Sequence, residues 1–491
     1  MHDALKKLTG ESLVYGIGQA GGRAVQLLLV PVLTRLLDPG AFGVAELVIA
    51  YSQTAVLMLV FGMDGALARH FYHEPDRAAR IRMASTSLLF RLATSCAVAL
   101  LLWLFAAPLA AHLVSGDVYR KYIRIGAATL PLTLLVLFGN DVLRVTFQPR
   151  KFITLNLAQT VLTGGISLWL VWARHLGVAG VLYGRLFGDG ACALLALVLV
   201  RHTIRPRFSR PALRRMLAYG APTVPAAFAY GIVASVDRFV LQRTRSLEEV
   251  AVYAVAIKFF AVVTMGVSAF QLAYGPWAFA RAHSPEGPRL FARAFGGYMA
   301  AACLAALTAG AFAPEALRML VPEVYQRAAW PAACLAFAAV AQGSYTVASV
   351  GIGISLRTSL LAYGAAAAAA VSIAACVLLA PRFGATGAAV ATLLAYGASA
   401  IVTYRVAQRV HPLPYRGGRL ITVFAIALAL ALVAQGWTRA GAVGVAMKLL
   451  CVAAFAILCV RLELWRERGA VSPSWLAAGG VTPEPGERGG H

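Results

Sequence analysis

Apolar stretches of about 20 to 30 residues follow one another along almost the whole chain, separated by short segments that hold most of the Arg, Lys, Asp and Glu. A helix crossing the hydrocarbon core of a bilayer needs about 20 such residues, and it satisfies its own backbone hydrogen bonds there. The pattern predicts fourteen spanning helices, at about 13–37, 41–66, 84–112, 123–146, 152–173, 177–200, 213–241, 250–279, 291–313, 328–355, 358–380, 383–404, 420–437 and 441–460. The first apolar stretch follows a short, mildly basic leader and is too long for the h-region of a cleavable signal, so it reads as a helix that stays in place.

Short motifs recur along the chain in order. Leu13-Val14-Tyr15-Gly16 returns as Leu217-Ala218-Tyr219-Gly220, and His73-x-Pro75-Asp76 as His283-x-Pro285-Glu286. Asp117-Val118-Tyr119-Arg120-Lys121 returns as Glu323-Val324-Tyr325-Gln326-Arg327, and Leu176-Gly177-x-x-Gly180 as Phe383-Gly384-x-x-Gly387. The four offsets lie between 204 and 210 residues, and each pair falls at the same point of the helix count. The fold class expected is therefore an all-α polytopic membrane protein. It consists of two six-helix bundles related by a pseudo-two-fold axis along the membrane normal, plus two C-terminal helices. The divisions are an N-lobe over 1–200, a basic linker over 201–215, a C-lobe over 216–410, a two-helix extension over 411–461 and a disordered tail over 462–491.

Composition agrees. Sixty percent of the 491 residues are hydrophobic, 13% are charged and the mean hydropathy is +0.73, whereas soluble domains carry about 25% charged residues. The formal net charge of +24 would suggest nucleic acid in a soluble protein. In a polytopic chain it reads as loop charge, and no nucleic-acid partner is expected. With the amino terminus inside, the inward segments hold 26 Lys and Arg and the outward ones 11. Both termini are then cytoplasmic. No outward segment exceeds about 15 residues, which argues against a membrane glycosyltransferase, ligase or polymerase. The seven Cys form no C-x-x-C pair, so neither a disulfide framework nor a metal site is expected.

Gly16-x-Gly18-x-x-Gly21, with Asp38 further on, matches a dinucleotide fingerprint. That fingerprint works only after a strand in a βαβ unit, and here the glycines sit inside a spanning segment. Close helix packing explains them better, and no cofactor is expected.

Ionisable groups inside spans are costly, at about 2.5–3.5 kcal/mol on insertion scales. Arg23 lies mid-helix with Gln19 and Gln26 on its face, which makes it the leading candidate for a hydrated, cation-lined cavity. Asp237 and Arg238 in helix 7 and Lys258 in helix 8 would complete that surface. Arg185 with Asp189 and Asp141 with Arg144 are spaced for local pairing, as structural or coupling pairs, and Arg91 is placed to snorkel inward. Asp64 and Arg69 read as a loop anchor. Arginine at a wet seam suits a diphosphate, which its planar fork binds bidentately.

Three segments carry a family resemblance: Leu33-Thr34-Arg35-Leu36-Leu37-Asp38-Pro39-x-x-Phe42-Gly43; Gly62-Met63-Asp64-x-Ala66 with Arg69; and Asp237-Arg238-x-x-Leu241 followed by Glu248-Glu249-Val250-Ala251-Val252-Tyr253-Ala254. They resemble the polysaccharide-biosynthesis (Wzx-type) flippases of the multidrug/oligosaccharidyl-lipid/polysaccharide (MOP) exporter superfamily, with the MurJ-like flippases more distant. Ala251 stands where the first repeat has Gly43, a departure read as neutral. The resemblance implies flipping of an undecaprenyl-pyrophosphate-linked glycan by alternating access, with Arg23 in the central cavity. Partners implied are the lipid-linked glycan, membrane lipids, and a polysaccharide polymerase with other assembly proteins. The alternative is a cation-coupled multidrug antiporter of the same superfamily.

Overall fold

The computed structural model describes residues 22, 25 and 27–462, apart from 75, 114–118, 206, 280, 283, 356 and 438–440. All regular structure among them is helical, and eleven helices have the length and apolarity to cross a bilayer. In chain order the first half holds α1 (Leu27–Leu36), α2 (Pro39–Leu59), α3 (Met63–His73), α4 (Arg77–Leu104), α5 (Ala106–Leu113), α6 (Tyr119–Val145), α7 (Pro149–Trp172) and α8 (Gly177–Val200). The second half holds α9 (Arg210–Gly220), α10 (Val224–Thr244), α11 (Leu247–Phe279), α12 (Gly287–Leu320), α13 (Ala329–Ala348), α14 (Val350–Ile354) and α15 (Leu361–Val410), and then α16 (Gly417–Gln435) and α17 (Gly441–Arg461).

Two differences from the hydropathy pattern have local causes. The continuous second span expected at 41–66 is broken: α2 stops before Phe61 and Gly62, both at positive φ, and α3 starts anew. The seventh span is likewise split into α9, a 3-10 turn over Ala221–Thr223 and α10, where Pro222 and Pro225 interrupt the backbone donors. The two spans expected at 358–380 and 383–404 are present as the two helical arms of α15, and the chain turns back between them at Gly384. Its φ of 57° and ψ of −137° suit glycine alone. The reversal brings Gly364 against Ser399 and Thr403, far apart in sequence. Caps fix other starts: Asp38 accepts from the Ala41 N–H with Pro39 in the first turn, and Asp76 accepts from Ala78 and Ala79.

Packing divides the chain into two bundles. In the first, α7 lies on α8, α8 on α6 and α6 on α4; in the second, α13 lies on α11, α12 and α15, and α15 on α10. α16 and α17 dock on α12. Residues Arg77–Arg82, Arg144–Arg150 and Arg201–Arg215 mark one end of the molecule, hereafter the basic end. At the opposite end a single apolar core runs through both bundles, from Phe42, Leu47, Val178 and Leu182 to Leu241, Val250–Ala256, Tyr325 and Ala388. Toward the basic end the core divides. Met63, Leu67, Phe138 and Leu155 pack within the first bundle, joined by Met216 of α9, whereas Phe291, Phe337, Val423 and Phe455 pack within the second and its extension.

Candidate functional site at the seam between the bundles

α2 is the wall of the first bundle that meets α10 and α11 of the second. Its residues at positions 43, 46, 51, 54 and 58 recur every three to five residues along one side, and Gly62, just past its end, continues the line. At the far end a Cβ on Gly43 would overlap the Leu247 carbonyl, so only glycine permits this approach. One turn on, Glu46 Oε1 lies 2.8 Å from Lys258 Nζ, an ion pair between the bundles. Tyr51 donates its hydroxyl to Gln242 Oε1 at 3.0 Å. Thr54 and Met58 then face Gly231, and Gly62 rests on Gly220 and Thr223. Just beyond, Arg69 stacks over the Tyr219 ring at 5.0 Å, and Arg215 binds Glu74 at 2.9 Å. The seam along α2 is thus closed by one cross-bundle contact after another.

The charges expected from the sequence fall around this stripe as follows. Asp237, buried in α10, receives the Tyr253 hydroxyl of α11, which also lies 3.1 Å from Thr392 Oγ1 in the second arm of α15. Arg238 Nη1 donates to the Ala234 carbonyl at 2.7 Å and sits 3.9 Å from Asp237 Oδ1, with its guanidinium over the Tyr253 ring. Lys258 has Glu46 as counter-charge. The in-span charges described here are therefore balanced: Arg238 against Asp237, Lys258 against Glu46. Arg23, Gln19 and Gln26 lie outside the described residues. Their neighbours on the same helix pack on α7: Gly22 faces Thr160 and Gly164 faces Leu29.

The remaining candidates lie within the first bundle. Asp141 binds Arg144 at 2.6 Å and Arg91 at 2.8 Å. Arg91 does not snorkel; it is only 1% exposed, because Asp141 offers a charge partner inside the core and removes the need to reach water. Asp189 accepts from Thr133 at 2.7 Å and from Gln159 Nε2 at 2.8 Å, while Arg185 Nε stays 3.8 Å away. Two hydroxyl and amide donors, more than the guanidinium, hold this carboxylate. Asp64 starts α3, and Asp38 caps α2 rather than serving any nucleotide.

Five partner side chains escaped the sequence reading. Glu46 and the pair Lys448–Glu315 (2.6 Å, α17 to α12) are charges inside apolar spans, a signal already present in the chain. Tyr253 and Thr392 carried no such signal, since ordinary core residues look the same.

Comparison with known proteins fits this geometry. Residues 32–271 match the family described as polysaccharide biosynthesis protein. An uncharacterized membrane protein of Haemophilus influenzae is 25% identical over 118 residues, 24% of this chain and 29% of that protein, so the match spans less than a third of the relative's length. Among solved structures, lipid II flippase MurJ in an inward closed conformation superposes with a TM-score of 0.71 at 12% identity, covering 91% of this chain and 98% of the other. An inward-facing multidrug resistance MATE transporter of the MOP superfamily gives 0.59 at 15%, covering 84% and 95%. The protein is a polytopic membrane protein with the fold of the MOP exporters. Over 32–271 it carries the sequence signature of the polysaccharide biosynthesis proteins.

Proposed function

We propose that the protein flips lipid-linked oligosaccharides, carried on undecaprenyl pyrophosphate, across the bacterial cytoplasmic membrane by alternating access, with both termini in the cytoplasm. The observation that carries this reading is the seam. The bundles share one core at the end away from the basic loops, whereas toward those loops each has its own core, with α9 of the second half crossing onto the first. Two bundles joined at one end can rock so that the opening changes sides. Lys258 and Arg238 stand on the wall that would be uncovered, and the family resemblance assigns Arg23 to the same cavity. As the seam parts, their counter-charges can be exchanged for a diphosphate, while the polyprenyl tail stays among the acyl chains. The polar headgroup then crosses hydrocarbon against protein charge instead of lipid. A polysaccharide polymerase and other assembly proteins would act on the product.

The test is complementation of a strain lacking its oligosaccharide flippase. The wild-type chain restores surface glycan, and Arg23→Ala or Lys258→Gln inserts normally but restores little. Full rescue by both variants would contradict the assigned cavity. One observation favours the multidrug antiporter instead: Asp189 is a carboxylate buried inside the first bundle, held by Thr133 and Gln159 with Arg185 3.8 Å away. Drug resistance without glycan export, lost in Asp189→Asn, would select that reading.

A further inference from the structure

The segment that joins the bundles is not a slack tether. Residues 201–215 contain six Arg and no Asp or Glu. Val200 ends α8, and the chain then runs across the flank of α4. There the Arg205 N–H donates to Ser85 Oγ at 2.8 Å and the Ser209 N–H to Thr86 Oγ1 at 3.1 Å. Both hydroxyls are buried and donate in turn to Ile81 and Arg82 carbonyls, so they are fixed acceptors. Ser209 then caps α9, whose Ala212, Met216 and Gly220 turn inward toward α3 and α4. Arg205, Arg207, Arg210 and Arg214 are left exposed around an exposed Phe208. Among the described residues, no carboxylate lies within ion-pair distance of these four guanidinium groups, in contrast to Arg215 on Glu74.

The level matters as much as the charge. α4 carries Arg77, Arg80 and Arg82 in its first turns, then Ser85-Thr86-Ser87, and from Leu88 to Leu104 it is mostly apolar, its one charge, Arg91, being paired with Asp141. The strap is pinned at Ser85 and Thr86, one turn past the last of the basic residues and just before this apolar run begins. A rigid row of guanidinium forks at that level faces phosphate, and an aromatic ring among them belongs to the interface.

We propose that residues 205–214 form a docking surface for the headgroups of anionic phospholipids in the adjoining leaflet. The surface recognises a phosphodiester with net negative charge, bound by paired forks, with Phe208 lying among the upper acyl carbons. A slack basic loop gathers anionic lipid only diffusely, whereas a pinned strap retains individual molecules. The proposal does not depend on what the protein transports.

The test uses the purified full-length chain in mild detergent, titrated separately with phosphatidylglycerol, phosphatidylcholine and undecaprenyl diphosphate, with bound lipids counted by native mass spectrometry. Phosphatidylglycerol is retained in preference to phosphatidylcholine, and R205Q/R207Q/R210Q/R214Q lowers that retention at least about tenfold, given several-fold per basic residue near an anionic surface. All four side chains are exposed, so the variant keeps the wild-type unfolding temperature. A matching substitution of Arg120, Lys121 and Arg124 at the opposite end leaves retention unchanged. Equal retention of the two phospholipids overturns the proposal, as does an anionic preference that survives in the quadruple variant. Retention of the diphosphate lipid alone also overturns it and would make the strap a substrate dock.

Discussion

Asp141 shows what a charge inside an apolar helix does in this chain. It holds the fully buried Arg91 on one oxygen and the half-exposed Arg144 on the other. Replacing it by Asn strands a guanidinium in the core, which costs about 3–5 kcal/mol. The expected result for Asp141→Asn is a sharply lowered unfolding temperature, and Arg91→Met/Asp141→Asn recovers most of the loss because the unpaired charge is gone. Equal instability in the single and double variants would dissociate the two residues. Glu46 is different, because its partner lies on the other bundle. Glu46→Gln weakens the closed seam by about 1–3 kcal/mol, so thiol reagents label a cysteine placed at position 242 faster than in the wild-type background. At this scale the sequence was legible in part. In-span charges announce themselves by their cost, and Asp237, Lys258, Asp189 and Asp141 were found that way. Which partner each takes depends on helices distant in sequence, so Arg91 was sent toward water when its true partner lay 50 residues on.

Among the helices, hydropathy located the apolar stretches well and their breaks poorly. The break near Gly384 is legible as the gap between two spans, but a window average cannot register that Phe61 and Gly62 leave helical geometry, or that Pro222 and Pro225 split the seventh span. Those events follow from single φ angles and from what lies across the seam. The repeat did mark them: Gly220, which touches Gly62, ends one of the recurring motifs, and Gly384 lies in another. The departure at Ala251 has a reason as well. It is buried beside Gly43 at the closest approach of α2 and α11, where one of the two repeat positions must lack a side chain. Gly43→Val therefore forces the helices apart. A loss of about 1–3 kcal/mol in thermal stability is expected, with insertion into the membrane preserved; an unchanged melting curve would mean the approach is looser than described. The extension is anchored in the same way. Lys448 of α17 is completely buried on Glu315 of α12, so Glu315→Gln alone strands that ammonium and destabilises the protein by about 3–5 kcal/mol, whereas Lys448→Met/Glu315→Gln recovers most of the loss. Unfolding curves of the two variants decide the point.

For the whole molecule, the account is that two bundles hinge about a common core and part along α2. The bundle count, the repeat and the predicted sidedness all follow from the sequence, because bilayer thickness and the positive-inside bias act on composition alone. The closed seam was not legible, since it consists of contacts between segments about 200 residues apart. A membrane potential, inside negative, favours outward movement of an uncompensated anion by about 2.3 kcal/mol per charge per 100 mV, so under the proposed function a diphosphate headgroup would be carried in the direction of export. The most direct measurement follows transport while the seam is held shut. Glu46→Cys/Lys258→Cys, with the exposed Cys96 replaced by Ala, is reconstituted in proteoliposomes and bridged with a short reducible bis-thiol reagent. Appearance of the undecaprenyl-diphosphate oligosaccharide headgroup in the opposite leaflet is then followed. The account predicts that translocation stops on cross-linking and returns on reduction. Undiminished translocation by the cross-linked protein would contradict it.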